Sequence, residues 1–482
     1  MVASTDGDGT DGLVVVSNRE PYAHRYAADG IECDRPTGGL VSALDAVVGD
    51  LGGTWVAWGS GDADFDPSVV DGDDTVALPP GDPRYTLRRV RLTRRQVDEY
   101  YYGYSNQVLW PLCHLDTNYV AVEPGFWSAY EDANAAFADA VADTTGPVWL
   151  QDYHLTLVPR ALRERGVDRT LVHFWHIPWP PAEVFAICPH AEQVLDGLLA
   201  ADAVGFHTDG YRENFLDSVE RSVPGATVDR AAGTVAYGER ETRTYVAPVG
   251  VDTDELSSVA GEEGSGDYWR RLARTHGIDD DTAVAVGVDR LDYTKGILER
   301  LDALERLWET TPRLRDSLVY VQKASRSREG IDSYRTYHGR VRDRVYELNQ
   351  RFGTDDWTPV VYLDGDLSRR DLLGLYRNAD LCVVSPRRDG MNLVAKEYVA
   401  ASAGVGGTLV LSEFAGAAES LGAAVTVNPF DTAAFADRLT AAVEMADDER
   451  SERFERLLAA VRETGIEAWL TANLRQLQDE GR

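Results

Sequence analysis

Short apolar runs separated by amphipathic stretches recur along nearly the whole chain. In the first half the runs are LVVVSN (13–18), TWVAWG (54–59), PVWLQD (147–152), TLVHFWHIP (170–178) and AVGFHT (203–208). Between them lie segments with helical spacing, such as GLVSALDAVVGDL (39–51) and YRENFLDSVERSV (211–223). The second half repeats the rhythm with AVAVGVDR (283–290), SLVYVQKA (317–324), PVVYLDG (359–365), LCVVSP (381–386), TLVLSE (408–413) and AVTVNP (424–429). Unbroken β-branched strands alternating with helices predict parallel sheets covered on both faces. Two such series predict an α/β protein of two doubly wound, Rossmann-like domains. Their bounds read as 12–250 and 251–460, with 1–11 as a disordered tail and 461–482 as a C-terminal helix free to pack back on the first domain. The hinge is placed near APVGVD (247–252), ahead of the Gly/Glu/Ser-rich AGEEGSGD (260–267).

Composition narrows the picture. A chain of 482 residues exceeds one core, and 44% hydrophobic residues exclude wholesale disorder. No apolar run reaches the ~18–20 residues of a bilayer span, and MVASTDGDGTDG lacks both the basic and the apolar region of a signal peptide. Cys33, Cys113, Cys188 and Cys382 form no C-x-x-C pair. That argues against structural zinc or a disulfide framework and for a reducing, cytoplasmic setting. Asp and Glu total 80 against 48 Lys plus Arg, a formal net charge of −32, and the lysines are Lys295, Lys323 and Lys396 alone. Such a balance excludes nucleic-acid and anionic-membrane partners. It resembles halophilic proteins, whose self-repulsion is screened by molar salt, although a GC-rich genome also depletes lysine.

Ligands of doubly wound domains bind beyond the carboxyl ends of the strands, so the residues just after each run matter most. RRDGMNLVAKEY (387–398) stands out in so acidic a chain. LCVVSP reads as a strand, RRDG as a turn, and MNLVAKEYVAASA as a helix ending near Gly404. The first N–H groups of a helix lack intrahelical partners and carry the positive end of its dipole, so a phosphate fits beside Gly390 and Asn392. Glu397, about seven residues into that helix, lies roughly 10 Å along it, the reach from a pyrophosphate to a ribose. Asp389, in the preceding loop, faces the other way, toward hydroxyls of a sugar on the far phosphate. A capped helix with solvated charges is the plain alternative.

GVDRLDYTKG (287–296) places Arg290 and Lys295 across a turn, where both can converge on one diphosphate or remain surface charge. No glycine-rich dinucleotide fingerprint follows a strand and no P-loop occurs, which removes a dinucleotide-dependent oxidoreductase from contention. SNRE (17–20) ends the first strand at Arg19, and in TGGL (37–40) Gly38 and Gly39 open the first long helix, allowing close approach of backbone to a phosphate or sugar. YYYGYSNQVLWPLCH (100–114) reads as an aromatic loop, either a sugar platform or a hydrophobic plug. QDYHL (151–155), HFWHIPWPP (173–181) and KASRSRE (323–329), with Arg326 and Arg328, complete the set. Two decoys are set aside. His173 and His176 read as strand positions on opposite faces, which is wrong for chelation. DGDDT (71–75) matches a phosphatase nucleophile motif but has no room for a phosphatase core, and reads as a solvated turn.

In order, SNRE…GGL, YYYGYSN…LWP, QDYHL, HIPWPP, GVDRLDYTKGI, RRDGMNLVAKEYVA and LSEFAGAA resemble the trehalose-6-phosphate synthases, retaining glycosyltransferases of the GT-B fold, from about residue 13 to 470. The resemblance implies two Rossmann-like domains facing each other across a cleft. It implies a nucleotide-sugar donor, UDP-glucose favoured over GDP- or ADP-glucose, a glucose-6-phosphate acceptor, α,α-trehalose 6-phosphate as product, and neither metal nor other cofactor. By position it puts Arg290 and Lys295 on the donor diphosphate, together with the backbone of Gly390, Met391, Asn392, Leu393 and Val394. Asp389 falls on the donor glucose, Glu397 on the ribose, Leu367 near the base and Gly39 beside the donor. Asp152 and His176 line the reacting glucose, while Arg19, Tyr101, Trp110 and Arg328 contact the acceptor. Two departures stand out: Tyr102 and Tyr104 replace an expected Asn and Phe, and KASRSRE replaces a P-[ST]-R pattern. No carboxylate offers itself as a nucleophile for double displacement, and the resemblance implies departure and attack on one sugar face instead. An acceptor such as glycerol phosphate, or a non-catalytic sugar-phosphate-binding regulator, stays open. A homo-oligomer is compatible with everything read so far.

Overall fold

The computed structural model describes residues 12–35 and 39–478; the tail expected at 1–11 and the Gly38 position lie outside them. The chain folds as two compact units. One runs as far as Pro248 and resumes at Leu470; the other is Val249–Trp469. The second crossing therefore falls within the helix Ile466–Gln478 rather than at 460.

The first unit is built on β1 (Val14–Arg19), β2 (Ala23–Ala27), β3 (Gly30–Asp34), β4 (Thr54–Trp58), β5 (Thr75–Leu78), β6 (Tyr85–Val90), β7 (Val148–Gln151), β8 (Leu171–Phe174), β9 (Ala203–Phe206), β10 (Thr227–Asp229), β11 (Thr234–Tyr237) and β12 (Arg240–Val246). Ten of them form a sheet in the order β10-β11-β12-β9-β8-β7-β1-β4-β6-β5, while β2 and β3 pair as a separate hairpin. From β12 to β6 the strands run parallel; β5, β10 and β11 add antiparallel edges. The parallel centre is where the apolar runs were read, and Val14–Val16, Trp149 and Val172 are fully buried there. Strands β10 and β12 were missed because they carry polar residues such as Thr227, Arg240 and Glu241, as half-solvated strands do. The run 170–178 is strand only to Phe174; the proline-rich stretch beyond cannot supply the N–H groups of a ladder.

The aromatic segment 100–114 is helix, not loop. It continues a wide helix, Val97–Leu109, into Trp110–Cys113, and the Trp110 N–H bonds Ser105 O five residues back. Asn106 and Gln107 donate their side-chain amides to the carbonyls of Tyr101 and Tyr102, also five residues back. Such wide turns recur at functional sites.

The second unit carries β13 (Ala283–Arg290), β14 (Leu318–Ser325), β15 (Val360–Leu363), β16 (Leu381–Val384), β17 (Thr408–Ser412) and β18 (Val425–Val427). They form one sheet in the order β15-β14-β13-β16-β17-β18, parallel throughout. In this doubly wound order the topological switch lies between β13 and β16. In the first unit it lies between β1 and β7. Crevices at such switch points are where open α/β sheets bind ligands.

Candidate active site

In the first unit the switch strands deliver two predicted residues directly. Arg19 ends β1 and Asp152 follows β7, whose Leu150 is paired in register with Val16. The pairing of β1 with β4 skips a residue between Ser17 and Arg19. This local bulge turns Asn18 inward to accept from Tyr100 Oη at 2.9 Å and re-aims Arg19. The Arg19 guanidinium donates to Tyr101 Oη at 2.8 Å, and its carbon lies 4.9 Å from that ring's centroid and 5.8 Å from Trp58's. Tyr101 stacks on His154 at 5.7 Å, and Trp110 lies 5.8 Å from Tyr153, whose hydroxyl reaches Asn106. Arg19, Tyr101, Trp110 and Asp152 are thus brought together on one aromatic floor. Gly39 is the first residue of the helix Gly39–Leu51.

Asp152 has φ +70°, and its carboxylate accepts from the His176 backbone N–H at 3.2 Å. His176 Nε2 lies 2.9 Å from Gln151 Oε1, which makes Nε2 the N–H nitrogen. Burial first, then the neighbouring His207 and His173, holds its pKa well below the usual imidazole range, so it is neutral. His173, on β8, is likewise driven down to about 3 by burial and faces the Asp152 carbonyl. His176 lies beyond the end of β8, so the opposite-face expectation applied a strand periodicity where there is no strand. DGDDT is a turn: Asp71 accepts from the N–H groups of Asp73 and Thr75.

In the second unit β13 ends at Arg290 and the chain turns through Asp292, which caps the turn Tyr293–Lys295 by accepting from Thr294 N–H at 3.1 Å. Gly296 then closes the turn at φ +65°, and a Cβ there would stand 2.0 Å from Ser385 O, so only glycine fits. Lys295 Nζ donates to Asp389 Oδ2 at 2.5 Å. Asp389 also accepts from Gly390 N–H at 3.0 Å and Asn392 Nδ2 at 2.9 Å. The fully buried Asp292 accepts from Arg328 at 2.8 Å. Burial alone would raise the Asp292 carboxyl, but Arg328, Arg290 and Lys295 together hold it below the usual range. One buried anion thus bonds Arg328 and feels the charge of Arg290 and Lys295 as well. Arg326 instead pairs with Glu329 at the surface, so of the two arginines of KASRSRE it is Arg328 that reaches Asp292.

The helix after β16 runs Leu393–Ala401, starting later than the sequence pattern implied. Glu397 is thus about one turn, roughly 6 Å, into it. It is half-buried; burial pushes its carboxyl up, opposed by the Tyr376 hydroxyl 3.4 Å away. Asn392 is the N-cap, accepting from Ala395 N–H while its φ is +77°. Among the described residues six non-glycines have positive φ, and Asp152, Arg328 and Asn392 are three of them. Such conformations cost about 1–3 kcal/mol each and gather where geometry is over-determined by function. Leu367 lies in the chain after β15, which is two strands from β13 in the sheet. Arg387, first of the opening arginine pair, lies 3.4 Å from Glu299 and over the Phe430 ring.

Several supporting residues were not anticipated. Arg300, fully buried, bonds Ser385, Asp289, Tyr320 and Gln322 beneath the Lys295 turn. Its signal was available, since a charged residue on the apolar stripe of Ile297, Leu301 and Leu304 has to be paired. Gly416 lets the EFAGAA turn lie against Gly390, whose carbonyl a Cβ would meet at 2.0 Å. Glu20 is held by Arg89 at 2.9 Å behind Arg19. The departing Tyr104 places its hydroxyl 3.2 Å from Cys188 Sγ.

The model of glycosyltransferase family 20 matches residues 11–479. A trehalose-6-phosphate synthase of Mycolicibacterium smegmatis is 38% identical over 98% of this chain and 93% of its own length. A synthase from Burkholderia xenovorans solved in complex with glucose-6-phosphate is similar at TM-score 0.86, with 31% identity over 97% of this chain and 100% of that one. An E. coli trehalose-6-phosphate protein bound with UDP-2-fluoro glucose is similar at 0.87, with 32% identity over 97% and 99%. Two doubly wound sheets, each with candidate residues at its switch point, fit the GT-B fold. The chain belongs to glycosyltransferase family 20.

Proposed function

We propose that the protein transfers glucose from UDP-glucose to the C1 hydroxyl of glucose-6-phosphate, releasing UDP and forming α,α-trehalose 6-phosphate with the donor's configuration retained. The observation that carries this reading is the convergence of Arg290, Lys295 and the start of the helix Leu393–Ala401 at the switch point of the second sheet. Two cations and a row of backbone amides match a departing diphosphate. The family relatives solved with a UDP-glucose analogue and with glucose-6-phosphate support the same ligands.

In this reading the amides of Gly390, Met391, Asn392, Leu393 and Val394 meet the phosphates, Glu397 accepts from the ribose hydroxyls and Asp389 from the glucose. Leu367 lies by the base and Gly39 against the donor. Arg19, Tyr101, Trp110 and Arg328 hold the acceptor, with Asp152 and His176 beside the transferred glucose. The bond from glucose C1 to the β-phosphate oxygen breaks as the acceptor oxygen bonds C1 from the same face, and the acceptor proton passes to the departing phosphate. Arg290, Lys295 and the helix start stabilise the charge that grows there. Neutral His176 can align a sugar hydroxyl without repelling the positive charge that develops on the ring. Buried thiols at Cys113, Cys188 and Cys382 suit a reducing cytoplasm.

The test is to incubate the purified protein in molar KCl with UDP-, GDP- or ADP-glucose plus glucose-6-phosphate and identify the products. UDP and trehalose 6-phosphate are expected. Turnover only with glycerol phosphate would reassign the acceptor, and binding without turnover would make the chain a regulator.

A further inference from the structure

Lys396 belongs to RRDGMNLVAKEY but has no part in the chemistry above. It is fully buried. Its Nζ donates to Val249 O at 2.8 Å and lies 3.3 Å from Thr464 Oγ1. Val249 is the first residue of the second unit, and Thr464 caps the end of the helix Asp447–Glu463, shortly before that unit ends at Trp469. These two segments are pressed together: a Cβ on Gly250 would meet Thr464 O at 1.9 Å, and Ile466 N–H bonds Val251 O at 3.2 Å.

We propose that Lys396 is a positioning residue for the transfer, its ammonium clasping the points where the chain enters and leaves the second unit and so fixing the helix Leu393–Ala401 on which the donor phosphates rest. The proposal rests on the donor site named above. Lys396 lies one turn beyond Asn392, on the same side of the helix. Asn392 in turn caps that helix and holds Asp389. A shift at the ammonium is therefore felt at the N-cap.

Packing alone does not explain a lysine here, because a buried ammonium is costly and a methionine would fill the same channel. No carboxylate pairs with it among the described residues. The charges on the elements around it are engaged or turned outward. Glu255 pairs with Arg369, Arg377 donates to the carbonyls of Ala401 and Ala403, and Glu397 contacts Tyr376. Asp252, Asp254, Glu419, Arg462 and Glu463 are exposed. What stabilises the ammonium is the Val249 carbonyl and the negative end of the Asp447–Glu463 helix, both parts of the joint. Burial pushes the Lys396 pKa down to about 8, so the clasp loses its charge and weakens at mildly alkaline pH.

The experiment measures KM for UDP-glucose and for glucose-6-phosphate from pH 6.5 to 9.5, with Tm, in the wild type, Lys396→Met and Thr464→Val. The wild-type donor KM should rise above about pH 8 while the acceptor KM stays flat. Lys396→Met should raise the donor KM roughly tenfold at pH 7 and abolish the alkaline rise, since small displacements of a binding helix weaken it sharply. Thr464→Val, at a half-exposed position, keeps the test open if the methionine variant fails to fold; it should move the alkaline limb to lower pH. A lowered Tm with an unchanged donor KM and pH profile would reduce Lys396 to scaffolding and overturn the proposal. If the wild type turns over no substrate, the transfer reading fails instead, and UDP affinity measured by calorimetry over the same pH range tests the clasp alone.

Discussion

The Lys295 ammonium stands 2.5 Å from Asp389 although the two residues are 94 positions apart. They meet because β13 and β16 are neighbours in the sheet, and both side chains are nearly buried. The pair presets the cradle: Asp389 holds Lys295 beside the helix start, while Asn392 and the Gly390 N–H hold Asp389. A double-mutant cycle should expose this. Asp389→Asn and Lys295→Met should each lower kcat/KM strongly, and their combination by less than the product, with a coupling of about 1–3 kcal/mol. Strict additivity would mean that the pair does not act as one element.

Arg290→Ala should lower kcat by roughly 10²–10³, the usual effect of removing one donor from developing charge. Steady-state rates at saturating substrates measure it. A loss below fivefold would refute its role at the leaving group.

Arg328→Ala should raise the KM for glucose-6-phosphate far more than that for the donor. It should also lower Tm, because Asp292 loses the partner that donates to it at 2.8 Å. A change confined to the donor KM would reassign Arg328 to the diphosphate.

Gly296→Ala places a Cβ in the left-handed region at φ +65° and 2.0 Å from Ser385 O. The conformation alone costs about 1–2 kcal/mol, and the clash adds to it. Thermal unfolding should show a lowered Tm, and whatever folds should bind UDP weakly, since Lys295 directly precedes this glycine. An unchanged Tm would mean that the turn is not as tight as it stands.

Acid should destabilise the fold through its buried imidazoles. The pKa of His173 falls from 6.5 to about 3 on folding, and that of His176 is also well below 6.5. Their contribution is complete above pH 6.5. As pH falls from there toward 3 the unfolded chain takes up protons that the folded chain refuses, and stability drops by about 1.4 kcal/mol per pH unit for His173, with His176 acting in the same direction. Denaturant titrations at pH 6.5, 5.5 and 4.5 should show a shallower decline in His173→Gln. An equal decline would mean that the imidazole is protonated in the fold.

Much of the architecture was legible along the chain because each core strand is a continuous apolar run, buried on both faces. Polar edge strands such as β10 and β11 lacked that signature and were invisible. The segment 100–114 was misread because its helix is sustained by Asn106 and Gln107 side chains reaching back five residues, outside ordinary helical periodicity. The candidate site residues at or just beyond the ends of core strands, Arg19, Asp152, Arg290 and Asp389, could be picked out because strand ends are where doubly wound sheets bind. Arg300 and Asp292 were passed over: their roles are to neutralise neighbours that spacing does not disclose.

By itself, then, the sequence determined the strand–helix rhythm, the turns that need Gly296 or Asn392, and which charged groups sit at strand ends. All of these are written in residues a few positions apart. Tertiary structure alone decided that Lys295 would meet Asp389, that Arg328 would meet the buried Asp292, and that Lys396 would end between Val249 and Thr464. Those encounters depend on strand order and on burial, which raise the strength of electrostatic contacts between groups far apart in the chain and have no counterpart in local spacing.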